Sequence, residues 1–140
     1  MTNEFIEFHS VNEFTLSEPN SVKAWLSKVV DHEQKKTDQL VYVFCDDKYL
    51  HKINVQFLNH DTYTDVITFD ESLGDLLSGE IYISVERVKE NASSFGVSFD
   101  EELLRVMVHG LLHLCGHKDK TEEEALEMRR KENYYLSLQA

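Results

Sequence analysis

From Leu103 to Leu114 the chain reads LLRVMVHGLLHL, an apolar stretch whose polar interruptions are Arg105, His109 and His113. Wound as a helix, Leu103, Leu104, Val106, Met107, Val108, Leu111, Leu112 and Leu114 leave almost no polar face, so the helix must be central, with other elements packed around it. Ser98 with Glu101 three residues on predicts its capped start, and Gly116 just past Cys115 predicts a left-handed stop. His109 and His113 then project together from one face, the geometry in which two imidazoles bind one ion from a single helix. Burial favours their neutral, metal-binding forms.

A third ligand has to come from beyond the turn, where His117 and Asp119 are the candidates. On a continued helix His117 would lie about 12 Å along the axis from His109, at the limit of reach for a shared ion. Gly116 instead lets the chain reverse and bring Asp119 back towards the open side of that ion. Two imidazoles and a carboxylate are an ordinary set for one zinc ion, and three protein ligands leave a position for a reactive water. His109 and His113 alone would also fit a plain core helix with satisfied ring nitrogens; the glycine and the later aspartate favour the metal. The spacing of residues 109, 113, 116 and 119 has the cadence of the long zinc-protease signature, but that signature carries a glutamate after its first histidine, where this chain has Gly110.

At 140 residues with 41% hydrophobic content, one domain over 1–140 with one core is expected. There is no apolar run near the ~20 residues of a membrane span, and MTNEFIEFHS lacks a basic region followed by an apolar one, so a soluble, cytoplasmic protein without a membrane partner is expected. Cys45 and Cys115 lack CxxC spacing and are expected as buried, reduced thiols, Cys115 facing away from the histidine pair. A net charge of −12 repels nucleic acid at long range. A divalent ion nevertheless supplies positive charge locally. Other cations available for a phosphate are Arg87, Lys89, Lys118, Lys120 and the run Arg129, Arg130, Lys131, a run that equally fits a solvated face.

The remaining elements follow from period and punctuation. Glu4 to His9 alternates as a strand, and Pro19 and Asn20 open a helix whose Val22, Trp25, Leu26, Val29 and Val30 form a core stripe. Gln39 to Cys45 is apolar on both faces, as in a strand covered on both sides. Asp46 or Asp47 caps a helix bearing Leu50, Ile53 and Phe57. A polar loop, Asn59 to Thr64, holds His60 and leads into a strand from Asp65 to Phe69. After a connection, Glu71 to Ser78, a fourth strand runs from Gly79 to Ser84. Ser84 caps a helix carrying Val85, Val88, Ala92 and Phe95 and ending at Gly96. Thr121 with Glu124 makes a second capping box, opening a last helix with Ala125, Met128, Tyr135 and Leu138 on one side. Four strands and about five helices around a buried metal-binding helix describe a small α+β domain.

HGLLHLCG resembles the histidine motif of the YbeY family of bacterial zinc-dependent endoribonucleases acting in ribosomal RNA maturation. Asn59 to Phe69, NHDTYTDVITF, and Gly79 to Ala92, GEIYISVERVKENA, are similar to two further family segments. The resemblance implies a mixed four-stranded sheet and a single-strand-preferring ribonuclease, with ribosomal RNA and the ribosomal subunit or its assembly factors as partners. Asp119 stands where the family has a third histidine, His117 where it has a tyrosine, and Leu58 where it has an arginine. The implied chemistry is metal-assisted phosphodiester hydrolysis, for which Glu80 and His117 are candidate proton-handling groups. Two alternatives keep the metal: a zinc peptidase, against which Gly110 stands, and a non-catalytic assembly factor whose closed site would use both His117 and Asp119.

Overall fold

The computed structural model describes residues 5–60 and 64–139. Its elements are β1 (Ile6–Ser10), α1 (Pro19–His32), β2 (Lys36–Cys45), α2 (Asp47–Leu58), β3 (Val66–Asp70), β4 (Leu76–Ser84), α3 (Val85–Phe95), α4 (Phe99–Leu114) and α5 (Glu122–Ser137). One four-stranded sheet has the order β1-β2-β4-β3. β1 and β4 both run parallel to β2, and β3 returns antiparallel to β4. The α+β class, the mixed sheet and the five helices are therefore as expected.

The caps form where short oxygen-bearing side chains precede apolar periods. Asp46, Ser84, Ser98 and Thr121 each accept a backbone N–H of the first helical turn, and at Thr121 the Glu124 carboxylate completes the reciprocal half. Gly96 and Gly116 take the left-handed conformation just past α3 and α4.

Most of the core lies on one face of the sheet. Leu40, Tyr42, Phe44, Ile81 and Ile83 meet the apolar sides of α1, α3, α4 and α5 there. α2 covers part of the other face, closing Leu50 over Cys45 and Ile67. α4 is the pivot: Leu103, Val106, Met107, Val108, Leu111, Leu112 and Leu114 are all buried. The Tyr42 hydroxyl donates to the Met107 carbonyl at 2.9 Å, and Trp25 Nε1 donates to the Tyr135 carbonyl at 2.8 Å, tying α1 to α5.

Two glycines set how closely layers approach. A Cβ on Gly110 would lie 2.9 Å from Ile81 Cγ2 and 3.4 Å from Thr68 Cγ2, so α4 rests directly on β4 and β3 at this point. A Cβ on Gly79 would meet the Phe69 carbonyl oxygen at 2.3 Å, and Gly79 pairs with Asp70 in the β3–β4 ladder.

Several boundaries differ from the sequence reading. β2 begins at Lys36 rather than Gln39, and β4 at Leu76 rather than Gly79, because the Glu71–Ser78 connection folds back on itself: Leu73 bridges Leu76 and Gly74 takes a left-handed turn. Glu4, at the start of the first expected strand, and 61–63 of the polar loop lie outside the described residues. Phe57 and Phe95, placed on apolar stripes by their spacing, are instead exposed, at 64% and 61%. Both fall at the ends of their helices, where Phe57 meets Phe69 on β3 edge to face, ring centroids 6.2 Å apart, and Phe95 is left uncovered.

Gly110→Ala should lower stability by about 1–2 kcal/mol, since overpacking against Ile81 outweighs the gain in helix propensity. Urea unfolding would show this as a lower midpoint.

Candidate metal centre

α4 carries His109 and His113 one turn apart. Their Nε2 atoms lie 3.0 Å from each other. The chain leaves α4 through Gly116, at φ 101°, and returns Asp119 so that its Oδ2 is 3.3 Å from His109 Nε2 and 3.4 Å from His113 Nε2. One ligand atom from each of the three residues lies within 4.8 Å of the others.

The far sides of both rings are already spoken for. His113 Nδ1 donates to the His117 carbonyl at 2.9 Å, and His109 Nδ1 donates to the Glu132 carboxylate at 2.6 Å. In the neutral imidazoles both Nε2 atoms then carry lone pairs, which face one another and a carboxylate oxygen. Three electron-rich atoms aimed at one point repel unless a cation sits among them, so the donor set fits a metal ion.

Glu132 is buried at 5% exposure, and its other oxygen accepts from Arg105 at 3.0 Å. Burial pushes its carboxyl up, but the hydrogen bonds from His109 and Arg105 outweigh that and hold it below the usual carboxylate range. At His109 burial opposes the imidazolium, while the hydrogen bond and charge of Glu132, with Asp119, raise it above its ordinary value. Glu132 shares the buried stripe of α5 with Met128 and Tyr135. A carboxylate on that stripe was the sequence signal for it, and the sequence reading passed it over.

His117 is not brought to the cluster. Its Nε2 donates to the Glu33 carboxylate at 2.6 Å, and only its carbonyl serves His113. Glu33 also accepts from Lys131 at 3.2 Å and from the Tyr135 hydroxyl. A site closed by both His117 and Asp119 therefore does not form. Burial pushes the Glu33 carboxyl up, and the bonds from Tyr135, His117 and Lys131 more than reverse it, leaving it below its ordinary value.

Glu80 is a correction. It alternates with Ile81, which touches α4, and so lies on the opposite face of the sheet, where Tyr82 donates to it at 3.0 Å. His60 is exposed in its loop. Cys45 and Cys115 are free thiols, both pushed up to about 12, chiefly by burial; Cys115 is half-buried rather than buried. Of the cations, Arg87 is held by Asp47 at 2.7 Å and by Glu90.

Beside the histidines opens a cleft of about 330 Å³, whose walls include Asp65, Phe95, His109, Asp119 and Arg129. Burial pushes the Asp65 carboxyl up. A larger cavity of about 700 Å³ lies between the segment after β1 and the start of α4, and none of the three ligand candidates lines it.

Residues 6–139 match the model of a family described as Endoribonuclease YbeY. The chain belongs to the endoribonuclease YbeY family. It is similar to the endoribonuclease YbeY of Christiangramia forsetii, with 53% identity over 133 residues, covering 95% of this chain and 93% of that one. To the YbeY protein of Flavobacterium johnsoniae it is 50% identical over 133 residues, 95% of this chain and 96% of the relative. The solution structure of TM1509 from Thermotoga maritima matches with a TM-score of 0.68 at 29% identity, over 94% of this chain and 86% of that one. Membership of the YbeY family removes the support for a peptidase, and the packing of Gly110 against Ile81 gives a physical reason: a protease glutamate has no room there.

Replacing Glu132 with Gln should weaken metal binding about 10- to 100-fold, as measured by competition with a chromophoric chelator. Because the Glu33 carboxyl is depressed in the fold, its contribution to stability is complete above the ordinary carboxylate pKa. It is lost as pH falls from there through the lower folded value. Glu33→Gln should therefore be less stable than wild type at neutral pH and show a flatter acid limb in thermal melts.

Proposed function

We propose that the chain works as one metal-dependent endoribonuclease domain, cleaving single-stranded RNA in the maturation of ribosomal RNA. Its surroundings are then the cytoplasm and the ribosomal subunit or its assembly factors. The observation that carries this reading is the convergence of His109, His113 and Asp119 on one point, in a chain of the YbeY family. The relatives at 50% and 53% identity are named endoribonucleases, which supports hydrolysis of RNA by this chain too.

His109, His113 and Asp119 are the residues that would hold the ion, and two nitrogens with one carboxylate oxygen suit zinc. When bound, zinc would supply Lewis acidity for phosphodiester hydrolysis. The protein's share is positional. Glu132 and the His117 carbonyl hold both imidazoles with Nε2 facing the cleft, so no ring has to reorient when substrate arrives. Arg105 keeps the Glu132 carboxylate ionised and aimed. Asp119, on a bend rather than on the helix, would complete the set, its Oδ2 lying 3.3 Å and 3.4 Å from the two Nε2 atoms. His117, bound to Glu33, does not join the set, which favours catalysis over a purely structural ion.

Pure protein should cleave an unstructured RNA oligonucleotide. Activity should vanish on chelation, return with added zinc, and fall at least 100-fold in His113→Ala. Cleavage that survives both chelation and His113→Ala would refute the mechanism.

A further inference from the structure

Phe95 breaks the pattern of its helix. α3 buries Val88 and Ala92, yet Phe95, its last residue, is 61% exposed. The left-handed turn at Gly96 follows at once and ends the helix there. Nor is this a stray surface aromatic, for it lines the same cleft as His109 and Asp119.

The wall of that cleft also carries one outward cation. Of the run Arg129, Arg130 and Lys131, Lys131 is tied to Glu33 at 3.2 Å, and Arg130 pairs with Glu127 on the solvent side. Arg129 lines the cleft with its side chain 58% exposed and forms a long ion pair with Glu132 at 3.9 Å. Arg105, also in the wall, is only 16% exposed and is held by Glu132 at 3.0 Å. Asp65, Glu102, Asp119 and Glu132 make the cleft acidic, so a phosphate there needs a cation beyond a bound ion.

We propose that Phe95 and Arg129 form a nucleotide subsite beside the metal centre, Phe95 stacking on an unpaired base and Arg129 holding a neighbouring phosphate of a single-stranded RNA. This rests on the ribonuclease reading above and names what selects its substrate. Aromatic faces accept any base, and a guanidinium fixes the backbone. A duplex keeps its bases stacked on each other and offers Phe95 nothing to cover. About 330 Å³ is at the lower end of the range for ligand pockets, about 300–1,000 Å³, room for one splayed nucleotide.

The test is binding of an unstructured 2′-O-methyl oligonucleotide to the zinc-loaded full chain, by fluorescence anisotropy across a salt series. Metal content and melting temperature are measured alongside. Phe95→Ala should weaken binding about 10-fold or more and Phe95→Trp should restore it. Arg129→Ala should reduce the slope of log affinity against log salt by about 0.7. Metal content and melting temperature should stay at wild-type values in all three. Equal affinity of wild type and Phe95→Ala overturns the stacking role, and an unchanged slope in Arg129→Ala overturns the phosphate contact. Either result leaves the ribonuclease reading standing if wild type still cleaves RNA. A wild-type chain that neither binds nor cleaves RNA removes both.

Discussion

The seating of α4 on the sheet at Gly110 is the constraint on which the rest hangs. Without a side chain there, the helix backbone settles against Ile81 and Thr68. That contact fixes which way the helix is turned about its axis, and so where the histidines that flank it on the helix point. A helix held further out would still bury its leucines, but its His109 ring would no longer meet Glu132 on α5. Fold and site therefore share one packing decision.

The candidate site is a second layer of hydrogen bonds as much as a set of potential donor atoms. Glu132 and the His117 carbonyl each take one ring proton, and these two choices put both lone pairs on the same side. Glu132 is itself steadied by Arg105, and the loop bearing His117 by Glu33, Lys131 and Tyr135. Buried carboxylates of this kind are tolerable because every one of their strong acceptors is met by a donor or a cation. An overall charge of −12 is thus no guide to the local balance, since part of that negative charge is spent inside, aiming rings.

What could be read from the chain alone was whatever has a local signature. Caps at Ser84, Ser98 and Thr121, the stripe of α1, and the helix–glycine–aspartate rhythm around the histidines all have short-range causes, and the structure has them where the spacing put them. Strand order has none, and β4 inserting between β2 and β3 could not be derived. The errors share a physical reason. Glu80 looked available for proton transfer because strand alternation tells which residues share a face but not which face meets α4. Phe57 and Phe95 looked like core because periodicity does not say how far the cover over a helix extends towards its end. Glu33 and Glu132 were missed although both lie where an apolar stripe continues, because a charge on such a stripe was treated as an interruption rather than as a buried group awaiting a partner.

The bend at Gly116 has a consequence of its own. A helix fixes the backbone position of every residue on it, whereas a residue beyond a left-handed turn is placed by the path of its loop. Exchanging a long heteroaromatic donor for a short acidic one at position 119 then requires only that the loop draw in, with the helix left as it was. Position 119 therefore takes its distance from the cluster from the loop, whereas positions 109 and 113 take theirs from the helix itself.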